Sequence, residues 1–268
     1  MSLSGSINVG TRTSLLARWQ TDHVIEQLQV AWPDLEFTVH TFTTTGDRIL
    51  DRPLPAIGGK GLFTEALESA LRAGEIDIAV HSLKDLPVAD PPGLTIGAIL
   101  SRADVRDLLV SRHGFTLETL PEGAVVGTSS LRRQAQLLAA RPDLQVRSIR
   151  GNVQTRIRKV MEGDYDAAVL ASAGVERLGL DQHLGQHLSL KAMLPAPGQG
   201  ALAVQCRADD EDVQAFLASI NEESVRAAVT AERAFLLALG GGCAVPVAAY
   251  AHAQNGGWHL EGLVADPE

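Results

Sequence analysis

The sequence has few cysteines, no long apolar run and no excess of positive charge. Its two cysteines are Cys206 and Cys243, and a chain of this length buries enough surface to fold without a disulfide or a metal. No run of 18 apolar residues is present, which excludes a membrane-spanning helix. The first nine residues lack the basic start and apolar core of a secretory signal. We therefore expect a cytoplasmic protein with reduced cysteines.

The net charge of −9 argues against a nucleic-acid partner. The charge is unevenly distributed, however. Eight of the 23 basic residues lie between Arg132 and Lys159, together with one acid, Asp143. This basic segment is either a solvated helix face or a pocket for an anionic small molecule, since a local field can oppose the net charge.

Strand-like apolar stretches alternate with amphipathic helical stretches, which predicts an α/β protein with mainly parallel sheets. A late strand at 201–206 needs an earlier sheet to join. We therefore expect domain 1 to comprise 1–100 and 201–218, and domain 2 to comprise 101–200. Two chain crossings then create a hinged cleft between two lobes. A long helix at 223–239 and two strands at 245–253 and 258–264 predict a small α+β domain 3 at 219–268.

The stretch Gly127-Thr-Ser-Ser-Leu-Arg-Arg133 ends a predicted strand and begins a helix. Its hydroxyls could simply cap the helix. The same geometry forms an anion site when arginines are adjacent. A second strand, glycine turn and helix repeat the arrangement at Arg147–Arg156, and open α/β sheets bind ligands at such strand ends. Together the two stretches favour anion binding.

A second stretch, Ala79-Val-His-Ser-Leu-Lys-Asp-Leu-Pro87, carries Lys84 and Asp85 to a turn limited by proline. Adjacent opposite charges at the surface could form a salt bridge. The functional interpretation is an acid that donates a proton beside a lysine that holds an anion.

The glycine-rich stretch Gly58-Gly-Lys-Gly-Leu-Phe63 is not a phosphate-binding loop. Leu54 and Gly61 occupy the positions where that motif requires glycine and a hydroxyl residue. A flexible loop that carries Lys60 and Phe63 over a cleft fits this stretch better.

The two cysteines differ in context. Cys206 lies within a predicted strand and is typical of a packed apolar residue. Cys243 follows three glycines, which remove burying side chains and let the backbone bend, so its thiol is a candidate nucleophile or covalent attachment point. No cysteine or histidine spacing indicates a metal site.

Seven motifs carry a resemblance to one family: "GTRTSLLA", "GGKGLF", "AVHSLKDLP", "GTSSLRRQ", "IRGNVQTR", "LPAPGQGA" and "GGGCAVP". In this order, and over essentially its whole length, the chain resembles the hydroxymethylbilane synthase (porphobilinogen deaminase) family. The resemblance implies an enzyme that joins four porphobilinogen molecules with release of ammonia. It also implies two lobes like those of periplasmic binding proteins, and a dipyrromethane cofactor bound covalently to Cys243.

The family's motifs imply residue roles. Asp85 would be the catalytic carboxylate, assisted by Lys84, and would help to expel the amine and stabilise the cationic azafulvene. The cofactor would contact Ser82, Lys84, Asp85, Thr128, Ser129, Ser130, Arg132, Arg133 and Gln199, besides its thioether to Cys243. The substrate would contact Arg12, Ser14, Lys60, Phe63, Arg150, Asn152, Arg156 and Arg177.

Two departures from the family pattern stand out. Ala56 replaces a loop lysine that many relatives carry four positions before the one matching Lys60. The sequence also ends at Glu268, where relatives usually continue for some tens of residues, so we expect a shortened domain 3.

Two alternatives remain. One is a non-catalytic two-lobed anion-binding protein, which Asp85 and Cys243 argue against. The other is the effector domain of a transcription regulator, although no DNA-binding segment is present. We expect a monomer without nucleic-acid or membrane partners.

Overall fold

The computed structural model describes residues 5–48, 61–180, 185–241 and 245–266. The helices of these parts are α1 Leu15–Ala31, α2 Thr45–Arg48, α3 Glu65–Ala73, α4 Leu131–Ala140, α5 Val153–Glu162, α6 Ser172–Glu176, α7 Glu211–Leu217 and α8 Glu223–Ala238. Short 3₁₀ turns span Leu83–Asp85 and Ala218–Ile220. The strands are β1 Ser6–Arg12, β2 Glu36–Phe42, β3 Ile78–Ser82, β4 Leu94–Ile99, β5 Asp107–Ser111, β6 Val125–Gly127, β7 Gln145–Arg147, β8 Ala167–Ala171, β9 Gln186–His187, β10 Leu202–Arg207, β11 Val247–Gln254 and β12 Gly257–Val264.

The strands form two five-stranded sheets and one two-stranded sheet. The first sheet has the order β2-β1-β3-β10-β4, and the second has the order β7-β6-β8-β5-β9. Strand β3 is central in the first sheet and helices cover both faces of that sheet, so its residues Ile78 to His81 are all buried. The α/β class is confirmed, and β10 joins the earlier sheet as the sequence predicts.

The prediction of mainly parallel sheets is wrong for half of the pairings in each large sheet. Strands β1, β2 and β3 are parallel, but β10 pairs antiparallel with β3 and β4. The second sheet repeats this pattern around β5, which is antiparallel to β8 and β9. The antiparallel pairings arise from the two chain crossings. Each crossing segment leads into a strand, β5 or β10, that is antiparallel to both of its neighbours.

The two crossing segments touch each other between the large sheets. The amide of Ala103 donates to the Gly200 carbonyl at 3.2 Å, and Arg102 Nε donates to the Gln199 carbonyl at 2.9 Å. Gly200 has a φ of +89°, and a Cβ on it would lie 2.6 Å from the Ala103 carbonyl oxygen. Only glycine permits this approach of the two backbones.

The third unit consists of α8 packed on the β11–β12 hairpin. Phe235 of α8 covers Gly262 of β12 so closely that a Cβ there would lie 2.6 Å from its ring. The predicted helix at 223–239 and the strands at 245–253 and 258–264 are observed within two residues at each end. In the described residues, no helix is long and apolar enough to cross a bilayer.

Candidate active site

The turn that follows β3 presents Lys84 and Asp85. Leu83 anchors it, because its side chain is fully buried and its amide donates to the Ala201 carbonyl at 3.0 Å. The next residue, Lys84, is half-buried, whereas Asp85 is exposed. One residue earlier, Ser82 lies within hydrogen-bonding distance of Gln20 Nε2, 2.9 Å from its Oγ. The turn therefore holds a solvent-accessible carboxylate beside a partly shielded ammonium group.

Lys84 lies among charges from both large sheets. Its Nζ donates to Gln199 Oε1 at 3.3 Å. Burial and the nearby Arg133 lower the pKa of Lys84 to about 8, whereas Asp85 and Asp107 act in the opposite direction. The Lys84 amine is therefore still mostly protonated at pH 7 and loses its charge as the pH rises through about 8.

Arg132 and Arg133 begin α4 and are both buried against Asp107. Their Nη2 atoms each lie 2.7 Å from a different oxygen of that carboxylate. Burial raises the pKa of Asp107, but the two guanidinium charges outweigh it and hold the pKa well below its ordinary value. Arg132 Nε is buried without a hydrogen-bond partner among the described residues. A ligand acceptor could bind there.

The hydroxyl groups at the start of α4 bind the protein's own backbone. Ser130 is the N-cap, and its Oγ accepts from the Arg133 amide at 3.4 Å. Ser129 Oγ donates to the Ile149 carbonyl at 2.8 Å, and Thr128 Oγ1 accepts from the Ser130 amide at 3.2 Å. These contacts are those of a helix start, the simpler of the two interpretations of this stretch.

Helix α5 presents a second basic group. Its N-cap is Asn152, whose Oδ1 accepts from the Thr155 amide at 2.9 Å. Arg156 Nε donates to the Gly151 carbonyl at 2.8 Å, and Arg150 Nη2 donates to the Gly46 carbonyl at 3.3 Å. Burial, and then Arg133 and Arg150, lower the pKa of Arg156 to about 10, with Asp85 opposing. Arg156 therefore lies in the same electrostatic environment as the turn after β3.

Arg12, at the end of β1, is held by Asp47 and Phe63. It forms a two-point ion pair with Asp47, and its guanidinium lies 4.5 Å from the centroid of the Phe63 ring. Ser14, two residues later, accepts from the Ala17 amide and caps α1. Arg12 and Phe63 both line a cavity of about 20 Å³ whose wall includes Asp85, a volume for about one water molecule.

His81 also lines this cavity. Burial, and then the charge of Arg12, lower the pKa of His81 to about 4. The imidazole is therefore neutral at pH 7, and the cationic groups beside Asp85 are the lysine and the arginines.

Arg177 lies near the second crossing segment. Its Nη2 donates to the Gly200 carbonyl at 2.8 Å, and its guanidinium lies 5.7 Å from the centre of the Trp19 ring. Burial lowers the pKa of Arg177 to about 10. Like Arg156, it is a shielded cation whose hydrogen bond goes to a backbone carbonyl.

Two predicted site residues, Lys60 and Cys243, lie outside the described residues. Cys206 lies in β10 and is fully buried, as its strand context predicts. Burial raises the pKa of the Cys206 thiol to about 11, which makes it a poor nucleophile.

One group of metal-type side chains occurs in the described parts of the chain. Ligand atoms of Asp104, Glu176 and His187 lie within 4.8 Å of one another. Both oxygens of Asp104 accept from Arg106, at 2.9 and 2.6 Å for its Oδ2 and 2.8 and 3.1 Å for its Oδ1. The group is thus an ion-pair cluster on the hinge side of the second sheet.

Sequence reasoning missed three residues of this region: Asp107, Gln20 and Asp47. Asp107 had a recognisable signal, an acid that opens the apolar strand Asp-Leu-Leu-Val-Ser. A buried carboxylate needs cationic partners, and the nearby arginines supply them. Gln20 and Asp47 had no comparable signal, because neither interrupts an apolar strand, and their contacts with Ser82 and Arg12 join distant parts of the chain.

The fold and the cleft define a two-lobed architecture in which, among the described residues, several cations lie in the electrostatic environment of the exposed carboxylate of Asp85. The same fold occurs in the BenM effector binding domain with benzoate (TM-score 0.50, 15% identity, 84% of this chain and 92% of that one). It also occurs in the BvgS VFT2 domain of Bordetella pertussis (TM-score 0.51, 16% identity, 87% and 92%). These two likenesses concern the fold alone.

The matches to family models and to relatives in sequence are more specific than these likenesses of fold. Residues 7–215 match the model described as porphobilinogen deaminase, dipyromethane cofactor binding domain, and residues 226–268 match its C-terminal domain. The chain is 51% identical to the porphobilinogen deaminase of Brevibacillus brevis over 98% of this chain and 86% of that protein. It is 53% identical to that of Syntrophomonas wolfei over 97% and 85%.

The chain belongs to the porphobilinogen deaminase family. It is accordingly a transferase of tetrapyrrole biosynthesis that uses porphobilinogen and a dipyrromethane cofactor. The family, fold class, enzyme class and cofactor that the sequence predicts are confirmed, and the non-catalytic alternative is not favoured.

Proposed function

We propose that this cleft catalyses the stepwise condensation of four porphobilinogen molecules to hydroxymethylbilane, with Asp85 as the catalytic carboxylate. The observation that carries the proposal is the position of Asp85, exposed and electrostatically coupled to Lys84 and Arg156. An accessible carboxylate among shielded cations suits a substrate with acidic side arms and a centre that becomes positively charged.

The basic residues fit a ligand with acetate and propionate arms. Arg156 and Arg177 are shielded, and their hydrogen bonds described above go to backbone carbonyls rather than to carboxylates. Arg132 Nε is buried without a partner in the described residues. Carboxylate arms would supply the missing acceptors and counter-charges, because arginine binds carboxylates through two parallel hydrogen bonds.

We assign the dipyrromethane to Cys243 by a thioether, with Ser82, Lys84, Thr128, Ser129, Ser130, Arg132, Arg133 and Gln199 around it. When bound, this group would supply the pyrrole carbon to which the first substrate is joined, and each later substrate would be joined to the ring added before it. Arg132 and Arg133 are already fixed by Asp107, so they bind carboxylates with little loss of side-chain freedom.

We assign substrate binding to Arg12, Ser14, Lys60, Phe63, Arg150, Asn152, Arg156 and Arg177. In the reaction, the aminomethyl C–N bond of porphobilinogen breaks, ammonia leaves, and the methylene carbon bonds to a pyrrole α-carbon, which then loses its proton. Water releases the finished tetrapyrrole as the hydroxymethyl compound. Asp85 stabilises the positive charge left on the substrate and accepts hydrogen bonds from pyrrole N–H groups. Lys84 remains the neighbour that holds an anion. The hydrogen bond from its Nζ to Gln199 restricts the rotation of the lysine side chain.

We also propose the domain division 1–100 with 201–218, 101–200, and 219–268. The membership of β10 in the first sheet and of β5 to β9 in the second supports it. We further propose that the protein is a monomer that acts in the cytoplasm without a nucleic-acid or membrane partner. The net charge of −9 supports the exclusion of nucleic acid.

The test is a stoichiometric assay with purified protein. Porphobilinogen is added, and ammonia release, porphobilinogen loss and the mass of the product are followed together. One ammonia for each porphobilinogen consumed and a linear tetrapyrrole product are expected. Binding of porphobilinogen without ammonia release would contradict the proposal and favour the anion-binding alternative.

A further inference from the structure

Asp107 occupies the first position of β5, where the chain enters the second sheet from the first crossing segment. Its side chain is completely buried. A carboxylate in such a place stays ionised only when several donors surround it. Asp107 has four: Nη2 of Arg132 at 2.7 Å, Nη2 and Nε of Arg133 at 2.7 and 3.2 Å, and Nε2 of Gln199 at 2.9 Å.

Each arginine also has a second contact, in which it donates to a backbone carbonyl. Arg132 Nη1 donates to the Leu194 carbonyl at 2.6 Å, and Arg133 Nη1 donates to the Val169 carbonyl at 3.0 Å. Two separated contacts determine the plane of a guanidinium group. Both planes are therefore set by the protein alone, with Asp107 as the shared contact.

The same carboxylate reaches the catalytic turn through one residue. Gln199 donates to Asp107 with Nε2 and accepts from Lys84 with Oε1. Its Nε2 also donates to the Val105 carbonyl at 2.7 Å, which fixes the amide orientation. Asp107 thus connects the turn after β3, the second crossing segment and the start of α4.

We propose that Asp107 is a positioning residue that orients Arg132, Arg133 and, through Gln199, Lys84 toward the carboxylates that the cleft binds. It is also the acid whose charge offsets the mutual repulsion of these three cations. The inference rests on the proposed function for the identity of the anionic ligand. The protonation of Lys84 provides a readout that does not depend on it.

The first experiment compares cofactor loading in wild type, Asp107→Asn and the matched control Asp143→Asn. Asp143 forms a similar two-point pair with Arg141 at the far end of α4. Protein from a host that makes no porphobilinogen is mixed with porphobilinogen, and the covalent adduct is followed by intact mass. Asp107→Asn should load about ten- to a hundredfold more slowly, the range for losing a charged hydrogen bond, and Asp143→Asn should load normally.

The second experiment measures the titration of Lys84 from the pH dependence of its acylation by a small anhydride, located by peptide mass. Arg133, Arg132, Asp85 and Asp107 are the charged groups around it. Loss of the Asp107 charge should lower the titration midpoint in Asp107→Asn and leave it unchanged in Asp143→Asn. A merely structural role of Asp107 would not move it.

A folded Asp107→Asn that loads like wild type with an unchanged Lys84 midpoint would overturn the inference. If Asp107→Asn does not fold, Asp107→Glu decides, because it keeps the charge but displaces it by one methylene. Loading slowed about tenfold in folded Asp107→Glu, with a Lys84 midpoint near that of wild type, supports positioning, and loading equal to wild type overturns it. A wild type that acquires no adduct would instead contradict the proposed function.

Discussion

Glu232 of α8 accepts two hydrogen bonds from the guanidinium of Arg102, at 2.7 and 2.9 Å. The two residues are 130 positions apart in sequence. The same fully buried carboxylate also accepts from the amides of Gly198 and Ala251, at 2.7 and 2.8 Å. One side chain of the third unit therefore binds both crossing segments and strand β11.

Glu232→Gln should strongly destabilise the protein. The substitution leaves Arg102 without its counter-charge in a buried site, which typically costs about 3–5 kcal/mol. The free energy of unfolding from urea denaturation measures the effect. Glu211→Gln, at an exposed first turn of α7, serves as control and should cost less than about 1 kcal/mol. A loss in Glu232→Gln no larger than that of the control would show that the contact contributes little.

Asp85→Asn should fold normally but turn over about 10²–10⁴-fold more slowly. The residue is exposed, so the amide fits without strain, but it lacks the negative charge and the proton-accepting oxygen. Steady-state rates of porphobilinogen consumption measure the change. Asp90→Asn, an exposed acid five residues later, should be unaffected, and near-normal turnover by Asp85→Asn would remove Asp85 from the mechanism.

Cys243→Ser should abolish the covalent adduct, whereas Cys206→Ala should retain it. Burial raises the pKa of the Cys206 thiol to about 11, so almost no thiolate forms there at neutral pH. Intact mass of each purified variant gives the result. An adduct that persisted in Cys243→Ser and vanished in Cys206→Ala would reverse the assignment.

The value of kcat/KM for porphobilinogen should fall as the pH rises through 8. Burial and Arg133 lower the pKa of Lys84 to about 8, and only its protonated form attracts a carboxylate. Where that form is required, the fall approaches about tenfold per pH unit. In Lys84→Arg the guanidinium stays protonated to a higher pH than the ammonium group of Lys84, so the alkaline fall near pH 8 should disappear. A wild-type profile that stays flat to about pH 9.5 would contradict a role for the Lys84 charge.

Loss of different arginines should stop the reaction at different stages. Arg133→Ala should impair cofactor assembly, because Arg133 lies at the start of α4 beside Lys84. Arg156→Ala should load the cofactor but add substrate poorly, with each effect about ten- to a hundredfold. Mass spectra after limited porphobilinogen show where each variant stops. The same distribution of intermediates in both variants would indicate general electrostatic attraction instead.

The local sequence pattern predicted the late strand β10 and the elements of the third unit, but not the two strands on either side of the first crossing. Strands β4 and β5 were not predicted, although β5 reads Asp-Leu-Leu-Val-Ser and is fully buried. Its first residue is Asp107, and an acid argues against a buried strand as long as its arginine partners cannot be seen in the sequence. The antiparallel pairing of β10 likewise depends on the path of the chain and has no local signal.

The sequence predicted which charged residue types follow which strands, but not the partners of these residues. The turn at Lys84 and the helix start at Arg132 both lie where the sequence indicates. The partners do not follow from sequence, because Arg12 binds Asp47 and Arg150 reaches Gly46 across long separations. The first pairing depends on how the segment after β2 folds against the end of β1, and the second on how the two large sheets approach each other. Periodicity encodes neither.

The close backbone contact at Gly200 joins the two crossing segments at one point. Because Ala103 and Gly200 are hydrogen-bonded and a Cβ on Gly200 would collide with the Ala103 carbonyl, neither segment can slide past the other without breaking this contact. A product that grows by one ring at a time therefore has to fit into a cleft whose two walls stay joined at this point.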